Sequence, residues 1–274
     1  MINKYLIILL ILLSFINIKN TEDSIINTKV INNSVLSITS KFEIDKDASV
    51  INCITANIAS INDSSYCYDT GFITTLLLIE NLLNNNITTA SITAIKYKNN
   101  IRYLTSDHVC EEIVKDKKRI DTLLNNEELF QDMQYVKINN VSKINSIDGK
   151  NTNLISIINR NEKYDICEIK IEKDIVKGTE LSNKNIFYGI NIYNASSPRN
   201  LLSNNRVYIE KGLYLGDKNN NNLFNLRIYE GSSGSPIFYK NEIISIIFAY
   251  NRKMKNISYG TKRSDILEFI SNKN

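Results

Sequence analysis

The feature that most limits the folds open to this chain is a long succession of short segments with a β-strand pattern. Each segment is rich in Ile, Val, Thr or Tyr, and most end near Asn, Asp, Ser or Gly. Strands this short and this closely spaced favour an all-β barrel or sandwich over alternating βα units. The predicted strands span residues 35–39, 49–51, 91–97, 101–105, 135–139, 154–158, 165–171, 186–192, 206–209, 223–229, 236–239 and 242–250.

Three stretches stand apart from this strand pattern. Residues 110–128 are charged and compatible with a helix. A final helix is predicted to begin at Ser264, an N-cap candidate, with Ile266 and Phe269 on its apolar face. Residues 74–83 fit either a helix or a buried strand, and periodicity does not decide between them.

Composition excludes several classes of protein. The 274 residues are 43% apolar, which is enough to bury a sizeable core and excludes a disordered chain. With 9 Gly and 2 Pro, a collagen-like or linker-dominated architecture is also excluded. The 33 Lys and Arg nearly balance the 29 Asp and Glu, so the chain lacks the strong basic field expected of a nucleic-acid-binding protein.

The N-terminus predicts export. Lys4 precedes an almost unbroken apolar run over residues 5–18, the shape of a signal peptide. At about 14 residues the run is short for a membrane span, which needs about 20. No small-x-small cleavage site follows it, so residues 1–20 are interpreted as a signal peptide or an uncleaved signal anchor, with a buried N-terminal element as the alternative. A secreted or cell-surface location follows, with membrane attachment only in the case of an anchor.

The four cysteines suit one or two disulfides in a secreted chain. Their spacing matches no zinc pattern, and a single histidine is available to help, so no metal is expected. Three connectivities are possible with four cysteines. A local Cys53–Cys67 bridge is favoured, with Cys110 and Cys167 either paired or free.

Three short stretches carry residues with catalytic potential, although each also has an ordinary structural explanation. His108, the only histidine, follows a predicted strand. It could be a structural residue or a general base, a role that suits imidazole because the pKa of this group ordinarily lies near neutrality. Asp165 stands at the head of an apolar strand, where it could cap a turn or orient a histidine. Ser233 lies in a turn of small residues that could be a plain β-turn or could converge backbone N–H groups into an oxyanion hole.

Taken together and in the order His108, Asp165, Ser233, the three stretches resemble the chymotrypsin-like (trypsin-like) serine peptidases. Their motif sequences are most similar to those of the HtrA and glutamyl-endopeptidase branches. The segments LTSDHV, YDICEIKI and GSSGSPIF resemble the family's motifs around its base, acid and nucleophile, and the resemblance covers about residues 90–270. It implies an all-β fold of two six-stranded antiparallel β-barrels with a C-terminal helix. Residues 21–89 would then be an N-terminal extension with the first strands, and residues 90–274 the rest of the double barrel.

The resemblance also implies roles for individual residues. Ser233 would be the nucleophile, His108 the general base and then acid, and Asp165 the residue that orients His108. The backbone N–H groups of Gly231 and Ser233 would form the oxyanion hole. Two departures from the family's wording are Ser232, where Asp or Asn is usual, and Cys167, where a small residue is usual.

Substrate preference is predicted from the same resemblance. Gapless counting back from the nucleophile places Arg227 at the floor of the pocket for the residue before the cleaved bond. A guanidinium there would favour Glu or Asp, whereas the alternative is a strand residue with its head in solvent. The pocket walls would come from Phe248, Ala249 and Tyr250.

The function predicted is therefore a secreted or surface-anchored serine endopeptidase that acts on protein or peptide substrates without a cofactor. One alternative is a non-catalytic peptidase homologue that uses the same cleft for binding. The other is an unrelated β-rich surface protein in which the three motifs coincide by chance.

Overall fold

A computed structural model describes residues 26–45, 87–124, 137–204, 206–254 and 256–272 of the chain. Within these residues, two closed six-stranded antiparallel barrels account for most of the secondary structure. The all-β prediction is therefore confirmed. The predicted strand 49–51, the segment 74–83, the leader 1–20 and the Cys53–Cys67 bridge lie outside the described residues.

The first barrel has the strand order β1-β4-β5-β6-β3-β2 and is closed by the antiparallel pairing of β1 with β2. A short seventh strand, β7, pairs in parallel with β2 at the edge. The predicted strands 91–97 and 101–105 are confirmed as parts of β2 and β3, which form a hairpin with a two-residue turn at Lys98 and Asn99. The strands are β1 (Val35–Asp45), β2 (Thr88–Tyr97), β3 (Asn100–Thr105), β4 (Lys137–Ser146), β5 (Asn151–Asn161), β6 (Ile166–Ile171) and β7 (Thr179–Glu180).

The second barrel closes in the order β10-β13-β12-β11-β8-β9. Two of its strands, β11 and β12, have the predicted bounds, but β9 runs nine residues further than expected, from 209 to 218. The strands are β8 (Asn191–Ser196), β9 (Tyr208–Lys218), β10 (Asn221–Asn225), β11 (Pro236–Tyr239), β12 (Glu242–Tyr250) and β13 (Ile257–Lys262).

Two strand predictions are wrong in part, for a common reason. No strand covers residues 186–190, since β8 begins at Asn191, and β10 ends at Asn225 rather than at 229. Ile186 and Ile190 pack against the core of the second barrel from a loop, and Leu226 and Ile228 are buried beyond the end of β10. The strand-like pattern of these residues thus reflects packing against the core beyond the ends of the strands.

Three helices lie in the described part of the chain: α1 (Thr28–Ser34), α2 (Asp107–Leu124) and α3 (Arg263–Ser271). Helix α2 begins three residues before the predicted helical stretch and directly follows β3. The expected N-cap at Ser264 is wrong, because β13 passes straight into α3 at Lys262 and the helix begins at Arg263. The Ser264 hydroxyl instead contacts the carboxylate of Asp265 at 3.2 Å.

A shared apolar cluster joins the two barrels. Ile95 and Leu104 of the first barrel pack with Phe238 and Ile246 of the second, and the α3 residue Phe269 belongs to the same cluster. Each such side chain contributes about 1.5–3 kcal/mol when it is fully buried. This contact holds β3 and β11 close together. His108 follows the end of β3, and the loop that contains Ser233 precedes the start of β11.

Candidate active site

His108 is the second residue of α2, and its position is fixed by the turn between β3 and that helix. The Ser106 hydroxyl donates to the Ile247 carbonyl of the second barrel at 3.1 Å. The buried Asp107 carboxylate accepts two hydrogen bonds from Arg160, one from Nε–H at 2.7 Å and one from Nη2–H at 2.9 Å. A bidentate pair of this kind is geometrically specific, so it holds the first turn of α2 against β5.

Asp165 lies in a tight turn immediately before β6, not within the strand as the sequence pattern predicted. Its backbone is left-handed, with φ 46° and ψ 54°, and a short 3-10 turn at Glu162–Tyr164 precedes it. Asn161 stabilises that turn because its side-chain oxygen accepts the backbone N–H of Tyr164 at 3.1 Å. Aspartate is among the few residues that adopt this conformation readily, and the turn aims its side chain at α2.

The structure brings His108, Asp165 and Ser233 together. His108 Nδ1 lies 2.9 Å from Asp165 Oδ2, and His108 Nε2 lies 3.0 Å from Ser233 Oγ. Asp165 Oδ1 also accepts the backbone N–H of His108 at 3.0 Å, so one carboxylate fixes both the ring and the backbone. The hydrogen bond to Asp165 raises the pKa of His108, against the lowering effect of partial burial.

This arrangement favours one tautomer of the ring. A carboxylate facing Nδ1 stabilises a proton on that atom and leaves the lone pair of Nε2 directed at the Ser233 hydroxyl. A neutral ring in this state can accept the hydroxyl proton. A carboxylate at this position can also stabilise a positive charge on the ring.

The backbone of the serine loop leaves two N–H groups without a protein partner. Within residues 231–235, the N–H of Ser232 donates to Tyr229, that of Gly234 to Ile247 and that of Ser235 to Ser232. The N–H groups of Gly231 and Ser233 have no acceptor in the described structure. Buried or half-buried backbone donors are rarely left unpaired, so these two can take an external acceptor.

A disulfide joins the two elements that carry His108 and Asp165. Cys110 in α2 is bonded to Cys167 in β6, across a sequence separation of 57. Each cysteine lies two residues after one of these side chains, and both are fully buried. Of the two outcomes left open for Cys110 and Cys167, the structure has them paired.

A cleft of about 770 Å³ opens beside His108 and Ser233. Phe248, Ala249 and Tyr250 line it, as does Ile228. The structure does not bring Arg227 to this cleft: its side chain is exposed and lines a separate pocket. Buried and exposed residues alternate over residues 226–229, so Ile228 lines the cleft whereas Arg227 does not.

Comparison with known proteins gives matches in structure alone. No protein-family model and no curated protein sequence matches the chain. The active form of the Rv3671c protease from M. tuberculosis matches with a TM-score of 0.52 and 9% identity, over 89% of this chain and 82% of that one. The serine endoprotease from Yersinia pestis matches with a TM-score of 0.53 and 12% identity, over 89% of this chain and 65% of that one.

A third solved structure, the HtrA-type protease AlgW with a decapeptide, matches with a TM-score of 0.53 and 11% identity, over 89% of this chain and 65% of that one. The fold is the chymotrypsin-like double β-barrel. The predicted resemblance is confirmed at the level of this fold. At such low identity the likeness establishes the architecture, and the chemistry must be argued from the residues of this chain.

Several residues that support this site carry no signal in the sequence. Ser91 of β2 contacts the serine loop, and Arg160 of β5 holds the residue before His108. Both contacts join segments more than fifty residues apart, so no local pattern could reveal them.

Among the described residues, no helix is long and apolar enough to cross a lipid bilayer.

Proposed function

We propose that this chain is a serine endopeptidase in which Ser233 is the nucleophile, His108 the general base and acid, and Asp165 the residue that orients His108. The single observation that supports this most is the unbroken hydrogen-bonded path from Asp165 through His108 to Ser233 Oγ, with distances of 2.9 and 3.0 Å. The path lies beside the two unpaired N–H groups and opens on a cleft large enough for a peptide.

In the proposed reaction, Ser233 Oγ attacks the carbonyl carbon of the substrate while its proton passes to His108 Nε2. The carbonyl oxygen becomes negatively charged and is stabilised by the N–H groups of Gly231 and Ser233. The bond to the leaving nitrogen then breaks as His108 returns the proton to that nitrogen. A water molecule, deprotonated by His108, releases the acyl group in the same way and restores the Ser233 hydroxyl.

Protein or peptide substrates are proposed on the basis of this chemistry and the open cleft. The proposed location is outside the cytoplasm, secreted or at the cell surface. The buried Cys110–Cys167 disulfide supports that location because structural disulfides persist mainly in oxidising compartments. The leader-like residues 1–20 are consistent with it.

The test is reaction of the purified chain with a fluorophosphonate probe, which forms a covalent bond to an activated serine. We expect labelling of the wild-type chain, complete loss in Ser233→Ala and strong loss in His108→Ala. Ser232→Ala is the matched control, because it removes a neighbouring hydroxyl that is buried and, among the described residues, hydrogen-bonded to Ser196 alone at 3.2 Å. That variant should retain labelling.

Labelling and peptide turnover that persist in a folded Ser233→Ala chain would overturn the assignment of the nucleophile. A folded wild-type chain that binds peptides, resists the probe and cleaves nothing would overturn the proposal in favour of a binding protein with a peptidase fold.

A further inference from the structure

The unpaired N–H groups of Gly231 and Ser233 are useful only if their peptide planes are held in one orientation. The Glu230–Gly231 peptide is the weaker point, because Gly231 has φ +85° and a glycine reaches both signs of φ at little cost. A trans peptide places its C=O and N–H on opposite sides. Whatever binds the Glu230 carbonyl therefore sets the direction of the Gly231 N–H.

Ser91 binds the carbonyls of the same two residues whose N–H groups are unpaired. Its backbone N–H donates to the Ser233 carbonyl at 2.9 Å, and its hydroxyl donates to the Gly231 carbonyl at 2.9 Å. Ser91 belongs to β2 of the first barrel and is fully buried. A single residue of one barrel therefore fixes the loop that carries the nucleophile of the other.

The Ser91 hydroxyl has a second contact, which reaches the Glu230–Gly231 peptide from behind. Its oxygen accepts the backbone N–H of Ser197 at 3.0 Å. Two residues further along, the backbone N–H of Arg199 donates to the Glu230 carbonyl at 3.1 Å. Because that carbonyl points towards Arg199, the Gly231 N–H on the other side of the same peptide points away from it.

Close packing shows that this segment supports Gly231 directly. A β-carbon placed on Gly231 would lie 2.8 Å from the Arg199 nitrogen and 3.3 Å from the Pro198 α-carbon. The segment is itself anchored, since the Ser197 hydroxyl oxygen accepts the backbone N–H of Leu202 at 3.0 Å. The Ser91 hydroxyl thus holds the loop on one side and its support on the other.

We propose that Ser91 is a positioning residue for the oxyanion hole, acting through the Gly231 carbonyl and the Ser197 amide. The proposal rests on the function proposed above. It assigns Ser91 no contact with substrate: its effect is to keep the Gly231 N–H aimed at the oxygen that becomes charged during the reaction.

The chain offers a matched control in Thr93, two residues further along β2. Thr93 is also fully buried, and its hydroxyl donates to the carbonyl of Gly234 in the same loop at 2.7 Å. Thr93→Val therefore removes a similar buried hydroxyl-to-carbonyl hydrogen bond, with a similar cost in stability. The carbonyl that it frees belongs to Gly234, which contributes no N–H to the proposed oxyanion hole, whereas the Gly231 carbonyl bound by Ser91 belongs to a residue that does.

The experiment measures kcat and KM for a peptide substrate in the wild-type chain, Ser91→Ala, Ser91→Cys and Thr93→Val. We expect Ser91→Ala to lower kcat by about 10-fold to 100-fold with KM within about twofold, because loss of an oxyanion donor costs about 100-fold to 1000-fold and misdirection costs less. Ser91→Cys, which keeps a weak donor of similar size, should fall between Ser91→Ala and wild type. Thr93→Val should keep kcat within about threefold of wild type.

A peptide aldehyde, which forms a tetrahedral adduct with a charged oxygen, provides a second measurement. Its affinity should fall in Ser91→Ala by the same factor as kcat/KM, while the affinity of a product peptide stays unchanged. Equal effects of Ser91→Ala and Thr93→Val on kcat, or a change confined to KM, would overturn the proposal. Failure of wild type to react at Ser233 would instead overturn the proposed function, so the two failures are distinguishable.

Discussion

Removal of the Cys110–Cys167 disulfide is expected to lower the free energy of unfolding by about 4 kcal/mol. The bond closes a loop with a sequence separation of 57, which contains most of α2 together with β4 and β5. The chain-entropy relation gives about 14 cal/mol/K for a loop of this length, or about 4 kcal/mol near room temperature. That is a large part of the roughly 5–15 kcal/mol by which a domain is stable.

The disulfide should also affect catalysis, because of where it lies. It ties the first turn of α2 to the start of β6, two residues from His108 at one end and two residues from Asp165 at the other. Without the disulfide, packing and the Arg160–Asp107 ion pair remain to hold the first turn of α2 in place. At temperatures where the variant is still folded, we expect kcat to be several-fold lower than in the wild type. KM should change little, because the cleft walls at Phe248 and Ala249 lie on the other barrel.

The assay is urea unfolding of the oxidised wild type, the reduced wild type and the double variant Cys110→Ala/Cys167→Ala, with kcat measured on the same samples. The reduced wild type keeps both sulfur atoms, so it separates loop closure from the cavity that two alanines would leave. A loss of less than about 1 kcal/mol in the reduced protein would refute the loop-closure reasoning. An unchanged kcat in both forms would refute the positioning role.

Three further predictions follow from single contacts in the site. The hydrogen bond to Asp165 raises the pKa of His108, and the proposed reaction uses the neutral ring, so kcat/KM should rise with pH through a midpoint above the ordinary histidine value of 6.5. In Asp165→Asn that midpoint should move to lower pH and kcat should fall about 10⁴-fold, and a pH profile that does not move would contradict the role of Asp165. Gly234→Ala should lower the free energy of urea unfolding by at least about 3 kcal/mol, because the added β-carbon would lie 2.1 Å from a backbone oxygen. Gly216 also has a positive φ but has open space around it, so Gly216→Ala should cost about 1 kcal/mol. Similar losses in the two variants would refute the steric argument. Peptides with an aliphatic residue before the cleaved bond should be turned over faster than those with Glu or Lys, and Arg227→Ala should leave that order unchanged; preferred cleavage after Glu that is lost in Arg227→Ala would restore Arg227 to the pocket.

The strands could be predicted from sequence wherever a ladder of hydrogen bonds coincides with one-sided burial. β11 and β12 have the bounds expected from their apolar runs, and the β2–β3 hairpin follows from its alternation and its turn. Prediction failed where apolar residues are buried beyond the end of a strand, as at Leu226 and Ile228. The strand pattern also missed most of β9, which is largely half-exposed.

The candidate site divides in the same way between local and distant information. His108, Asp165 and Ser233 could each be singled out because the short segments around them resemble motifs of a known family. The left-handed turn at Asp165 and the outward position of Arg227 depend on how each segment packs, which neither motif nor spacing encodes. Contacts such as that of Ser91 with Gly231 join residues 140 positions apart.

The site exists only where the two barrels meet. The loop that carries Ser233 precedes β11 of the second barrel, whereas His108 in α2 and Asp165 in the turn before β6 belong to the first. Ser91 supplies three of the hydrogen bonds between the barrels, through its N–H to Ser233 and through its hydroxyl to Gly231 and Ser197. Because these bonds are buried and directional, a shift of one barrel against the other breaks them together. Alignment of the proposed triad and orientation of the proposed oxyanion hole are therefore consequences of the same packing, and a mutation that loosens the interface should impair both at once.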